Sequence, residues 1–139
     1  MKRITVYTSE VDGFGGQAMV TRKVIGLVRQ KDALSKVIDL KTGGKYSFKT
    51  FIASIAHLLF FLKQERNLVY FTPTRNGRAI LKDLPVYFAA IRGIIVLAHV
   101  HGNDLEQLFS LPIVGRFILK VYRSRILIIL PTGYLVEKY

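Results

Sequence analysis

The sequence predicts an α/β fold, a Rossmann-like doubly wound parallel sheet of about five strands. Three observations predict it. Short β-rich runs alternate with stretches whose apolar residues recur at helical spacing, along nearly the whole chain. Two of the runs, Ile94–Val100 (IIVLAHV) and Ile126–Leu130 (ILIIL), have no polar face, as strands covered on both sides require. No repeat, linker or low-complexity segment breaks the alternation, so the 139 residues read as one domain, 1–139.

Each element has its own signal. Arg3–Thr8 (RITVYT) alternates and is β-rich, which marks the first strand. Ala18–Arg29 places Val20, Val24, Leu27 and Val28 at helical spacing. Lys36–Leu40 (KVIDL) is a short second strand, followed by a Gly43-Gly44 loop. Ser47 then caps a long helix running to about Gln64. Leu68–Phe71 (LVYF) is the third strand, ending in the turn Thr72 to Gly77. The next helix runs to Arg92, with Asp83 as a cap or break before Pro85 and Gly93 as its stop. Ile94–Val100 is the fourth strand. A short helical turn near Asp104–Phe109 and a helix begun by Pro112 lead to the fifth, Ile126–Leu130. After Pro131, TGYLVEKY reads as the start of another helix, which suggests a domain cut from something longer.

Composition narrows the function. Half of the residues are apolar, which excludes disorder. The absence of cysteine excludes disulfides and thiolate metal sites and fits a reducing compartment. Thr5, Thr8, Ser9, Glu10 and Asp12 interrupt the start, so no secretory leader is expected and the expected location is cytoplasmic. Twenty-one Lys and Arg against nine Asp and Glu give a net charge of +12. That balance points to an anionic partner: nucleic acid, an acidic membrane surface or phosphorylated substrates. A soluble domain from a basic proteome has the same charge. Nucleic acid is disfavoured, because Phe and Tyr cluster in apolar runs rather than interleaving with Lys and Arg.

In a doubly wound sheet, ligands bind at the carboxyl ends of the strands, where strand order reverses. An order of 3-2-1-4-5 is expected here, which puts that point between the first and fourth strands. Gly13 to Gln17 would then face His99 to Asn103. The stretch EVDGFGGQAMVTRK (Glu10 to Lys23) places three glycines where the first strand turns into the first helix. Amides at a helix start carry partial positive charge and suit a phosphate. Gly15 and Gly16 leave those amides open to close approach. A loop using glycine only to turn is the plain alternative.

Gly13 to Ala18 also matches G-x-G-x-x-A, with Asp39 ending the second strand where a ribose-binding acid would sit. That fingerprint needs its first glycine directly after the strand, and Ser9 to Asp12 intervene. An NAD(P)-dependent oxidoreductase domain is therefore the alternative reading. His99 and His101 fall on the same side of the fourth strand. His99 reads as a core residue, and His101, beside Gly102 at the strand end, as placed to reach a ligand. His57 lies far off in a helix, so no metal site is expected.

Three stretches, GFGGQAMVTRKVIGLVRQK, NLVYFTPTRNGRAILKDLPVYFAAIRG and IIVLAHVHGNDLEQLF, cover almost the whole chain. In order and spacing they resemble the amino-terminal half of retaining GT-B glycosyltransferases of family 4. The resemblance implies two Rossmann-like domains around a cleft. This chain would be the first, acceptor-side domain, with the C-terminal donor domain absent from it. Gly15 and Gly16 would lie over the phosphates of a nucleotide-sugar donor, and His101, as the catalytic residue, beside the transferred sugar. Gln17, Thr74, Arg75, Asn76 and Asn103 would line the acceptor pocket, with Arg75 as an anion contact. Glu10 and Asp12 would reach sugar hydroxyls or simply be solvated.

The implied reaction moves a sugar to an acceptor hydroxyl with retention. The leaving phosphate itself takes the proton, so no paired carboxylates or triad are required. The protein mainly positions groups and stabilises charge on that phosphate. No cofactor is expected. Because the donor carboxylates belong to the second domain, the chain alone should not catalyse transfer. A basic anion-binding module without catalysis is the remaining reading.

Phe51–Leu62 (FIASIAHLLFFL) has ten apolar residues in twelve, short of the ~20 that a membrane span takes. Thr50, Ser54, His57, Phe61 and Gln64 form one stripe, so the opposite face is expected on the sheet. Phe60 and Phe61 would then fall beside that polar stripe, exposed. Arg116, Lys120 and Arg123 form a basic stripe on the last helix. Solvated faces are the plain reading. Net charge, exposed phenylalanines and the implied family together favour docking on an anionic membrane surface, with a lipid-linked acceptor and a place on the inner face of the cell membrane.

Overall fold

The computed structural model describes residues 3–8, 11, 13–42, 45–61, 67–73, 80–100 and 109–129. β1 (Ile4–Thr8) leads into α1 (Gly16–Gln30) and β2 (Leu34–Asp39). A small antiparallel hairpin, β3 (Lys41–Thr42) and β4 (Lys45–Tyr46), precedes α2 (Phe48–Ala56), which runs on into a π-helical turn, His57–Phe61. Then come β5 (Leu68–Phe71), α3 (Ile80–Ile91), β6 (Ile95–His99), α4 (Val114–Arg125) and β7 (Ile126–Ile129). The α/β class and the five-stranded parallel sheet match the sequence reading.

The strand order does not match. The sheet runs β2-β1-β5-β6-β7, which is 2-1-3-4-5 in its own five strands and not 3-2-1-4-5. Strand order therefore reverses between β1 and β5. β2 is suited to an edge, with Lys36 exposed at its middle. β1 is buried from Thr5 to Thr8 and takes a neighbour on each side.

Right-handed crossovers convert this order into layers. The step from β1 to β2 moves one way across the sheet and the later steps move the other, so α1 lies on one face and α2, α3 and α4 on the other. Alternate residues of each strand serve the two cores. Tyr7, Phe71, Val96 and Ala98 face the three-helix side with Leu58, Val86, Tyr87 and Ile118. Val6 and Tyr70 face Ile25 of α1. Each such buried side chain contributes about 1.5–3 kcal/mol. The second face is covered less fully than the sequence predicts. Ile95, Leu127 and Ile129 share the α1 side and stay exposed.

Local signals placed most element ends. Ser47 Oγ accepts from the Thr50 amide at 3.2 Å, the expected cap of α2. Gly93 stops α3 at φ +92, a conformation that favours glycine. Pro85 sits inside α3 without ending it, and Asp83 is a buried first-turn residue rather than a break. The α-helix of α2 ends at Ala56 in the π-helical turn, with 62–66 outside the described residues.

The orientation of α2 is the reverse of the one expected. Ser54, on the polar stripe, is 2 % exposed and donates to the Phe51 carbonyl at 2.7 Å. Phe48 and Ile52 face outward instead. A helix that is apolar nearly all round offers no preferred face. The interior beneath it is polar, because the Tyr7 hydroxyl there donates to the Lys82 carbonyl and Asp83 is buried close by.

Candidate functional site

The point where strand order reverses lies at the carboxyl ends of β1 and β5. Thr8 and Thr72, both buried, bring their hydroxyls to 3.4 Å from one another across that junction. On the other side Thr8 pairs with Asp39 of β2, whose Oδ1 accepts from the Lys41 amide at 3.0 Å. Two hydroxyls and a carboxylate thus stand at neighbouring strand ends.

The start of α1 forms one lip. Gly15 is its N-cap, in extended conformation (φ −78, ψ 166), with no side-chain cap bond and no acidic residue in the first turn. The amides of Gly16, Gln17 and Ala18 have no acceptor within the helix. A Cβ added at Gly15 or Gly16 would meet nothing within 4 Å. The fold itself therefore does not require glycine at either position. What glycine leaves there is access to bare amides that carry the positive end of the helix dipole.

Arg22, one and a half turns along α1, reaches back to this loop. Its Nη1 donates to the carbonyls of Val11 and Gly13, each at 2.8 Å. The guanidinium fixes the loop and adds a full positive charge to it. Phe14, between the glycines, is fully exposed. Neither role was legible in the sequence, where Arg22 reads as one more helix charge. Thr8 had a faint signal, a hydroxyl ending an apolar strand, which Thr72 repeats.

The predicted residues divide. Gly15, Gly16 and the half-buried Gln17 are together at the lip. Thr74, Arg75, Asn76, His101 and Asn103 lie outside the described residues, as do Glu10, Asp12, the 104–108 turn and the segment after Pro131. The strand order nevertheless corrects one expectation. β6 is two strands from β1, about 10 Å at the usual spacing. The strand that the glycine loop follows therefore has β5, not β6, as its neighbour.

His99 behaves as the core residue expected. It is half-buried on the α1 side, with Nδ1 at 2.6 Å from the Tyr70 hydroxyl and the rings edge-on at 5.9 Å. Burial pushes the Tyr70 phenol up to about 12. His57 is half-buried in the π-helical turn, and burial together with Lys36 lowers its pKa. Among the described residues no three His, Cys, Asp or Glu side chains gather as a metal site would require.

Arg116, Lys120 and Arg123 are exposed along α4 as expected, while the side chains of Phe60 and Phe61 are outside the described set. No described helix is long and apolar enough to cross a membrane. Comparison of the chain with family models, with curated proteins and with solved structures finds no match.

Proposed function

We propose that this chain is the acceptor-side domain of a retaining GT-B glycosyltransferase that works peripherally on the inner face of a membrane. The observation that carries the reading is the open start of α1 at the point where strand order reverses. There, three amides without an acceptor in the helix and a loop held by the Arg22 guanidinium follow β1, whose last residue, Thr8, meets the Thr72 hydroxyl. An anion of phosphate size suits that lip.

In the proposed reaction an acceptor hydroxyl forms a bond to the anomeric carbon as the bond to the nucleotide phosphate breaks, on the same face of the sugar. The departing phosphate oxygen takes the hydroxyl proton. The amides of Gly16 to Ala18 stabilise the charge that grows on that phosphate, a role that is strongest in the transition state. Gln17 and the segment after Thr72 face the acceptor. His101 orients the sugar. A donor-side domain, on the same or another chain, supplies the nucleotide pocket.

Gly16→Asp tests this in the enzyme assembled with its donor-side domain. A Cβ at this position meets nothing within 4 Å, and an acid in the first turn favours the helix. Thermal stability should stay level or rise slightly, while transfer falls by about two orders of magnitude or more. Undiminished transfer would remove the glycine loop from the mechanism.

One observation favours a second reading. Asp39 stands beside Thr8 at the end of β2, next to the glycine loop, where an acid that binds a dinucleotide ribose belongs. Tight NAD(P) binding by this chain, abolished in Asp39→Asn, would favour the oxidoreductase domain over the transferase.

A further inference from the structure

The three-helix side carries apolar residues outward as well as inward. α2 presents Phe48 (77 % exposed) and Ile52 (49 %) one turn apart, and α3 presents Leu81 (66 %) and Phe88 (52 %) two turns apart. Between the helices lies a groove of about 420 Å³, lined by Phe51, Ile55, Leu59, Leu84, Phe88 and Arg92. A second groove shares Phe51 and extends toward the β3–β4 hairpin. There two ammonium groups lie over the Tyr46 ring, Lys82 Nζ at 4.0 Å and Lys41 Nζ at 5.1 Å from its centroid. A helix on the surface of a soluble domain buries one stripe and solvates the rest. α2 and α3 have two apolar stripes each.

The charge around this surface is of one sign. Among the described residues of the hairpin, α2, α3 and α4, the one carboxylate is Asp83, and it is buried. Lys45, Lys49, Arg92, Arg116, Lys120 and Arg123 are exposed. α1, on the other face of the sheet, exposes Met19 and Leu27.

We infer that the α2–α3 face is a docking surface for anionic phospholipid. Phe48, Ile52, Leu81 and Phe88 enter the headgroup–acyl boundary, and the surrounding cations meet lipid phosphates. Apolar stripes ringed, among the described residues, by exposed cations and no exposed carboxylate complement a surface that is apolar beneath and negative above. A second copy of this chain would bring like charges together, which opposes self-association. α3, at twelve residues and ~18 Å, is shorter than the ~30 Å hydrocarbon core, so the face lies on the bilayer rather than in it. The inference rests on the membrane part of the reading above and not on the transfer reaction.

Flotation of the chain with vesicles tests it, and needs no donor or acceptor. The wild type should float with phosphatidylglycerol vesicles and not with phosphatidylcholine vesicles. Phe48→Ser/Ile52→Ser/Phe88→Ser should lower the affinity at least tenfold. Lys49→Gln/Arg92→Gln should lower it roughly fivefold for each cation removed and flatten its salt dependence. Met19→Ser/Leu27→Ser, on α1, should float as the wild type does. All these positions are exposed, and circular dichroism confirms that each variant is folded. Equal flotation with neutral vesicles, or full flotation of the triple variant, would overturn the proposal. So would a dimer in solution that the triple variant dissolves, since the face would then serve a second copy. Because transfer is not measured, failure here leaves the glycine-loop reading standing.

Discussion

Arg22 shows how one side chain can matter at a site while leaving the fold alone. The buried side of α1 is carried by Ala18, Thr21 and Ile25, and Arg22 points away from it to hold the Val11 and Gly13 carbonyls. Arg22→Ala should therefore accelerate amide exchange at Gly13 to Gly15 by about tenfold, since hydrogen bonds to charged groups contribute ~1.5–3 kcal/mol. The melting temperature should fall by a few degrees at most, because the bonds are exposed to solvent. Unchanged exchange would mean that other contacts fix the loop. The glycine pair could be read in advance, because glycine before a helix is a local signal. The staple could not, because an exposed arginine on a helix is most often only solvated.

At the scale of elements, the entry to α4 is strained. Ile113 has φ 58 and ψ −62, and the Val114 amide closes a three-residue turn on the Pro112 carbonyl at 2.5 Å. Positive φ is costly for a β-branched residue, and this kind of γ-turn is rare. Ile113 is exposed, so its side chain contributes little burial. Ile113→Gly should raise stability by about 1 kcal/mol, a few degrees in melting temperature for a chain of this size. A lower melting temperature would mean that the isoleucine packs against something the strain argument ignores. α2 teaches the companion lesson. Its start was legible at Ser47, but its facing was not, because ten apolar residues in twelve leave a helical wheel nearly uniform. The buried polar groups around Tyr7 and Asp83 decided which stripe turned inward.

For the molecule as a whole, buried tyrosines tie stability to pH. Burial first, then Asp83, pushes the Tyr7 phenol up despite a lowering contribution from Ser54. Burial, followed by Tyr122 and Asp83, also raises Tyr87 well above its ordinary value. Tyr70 is pushed from 10.0 up to about 12 by burial. Below pH 10 both folded and unfolded chains keep these protons, and the stabilisation is complete. Above it the unfolded chain releases protons that the native state retains, so stability falls as pH rises from 10 through 12. Melting temperatures measured from pH 9 to 12 should decline, and Tyr70→Phe should make the decline shallower. A flat profile would contradict the burial of these phenols. The sequence by itself determined the β/α alternation, the extent of most elements and the glycine loop at the start of α1, because periodicity, capping and glycine act over a few residues. Only the tertiary structure decided that β5 lies beside β1, and hence which strand end adjoins the one that leads into the glycines. The physical reason is that orders 3-2-1-4-5 and 2-1-3-4-5 use the same elements and the same right-handed crossovers. Local patterns are identical in the two, and long-range packing of β1 between two neighbours makes the choice.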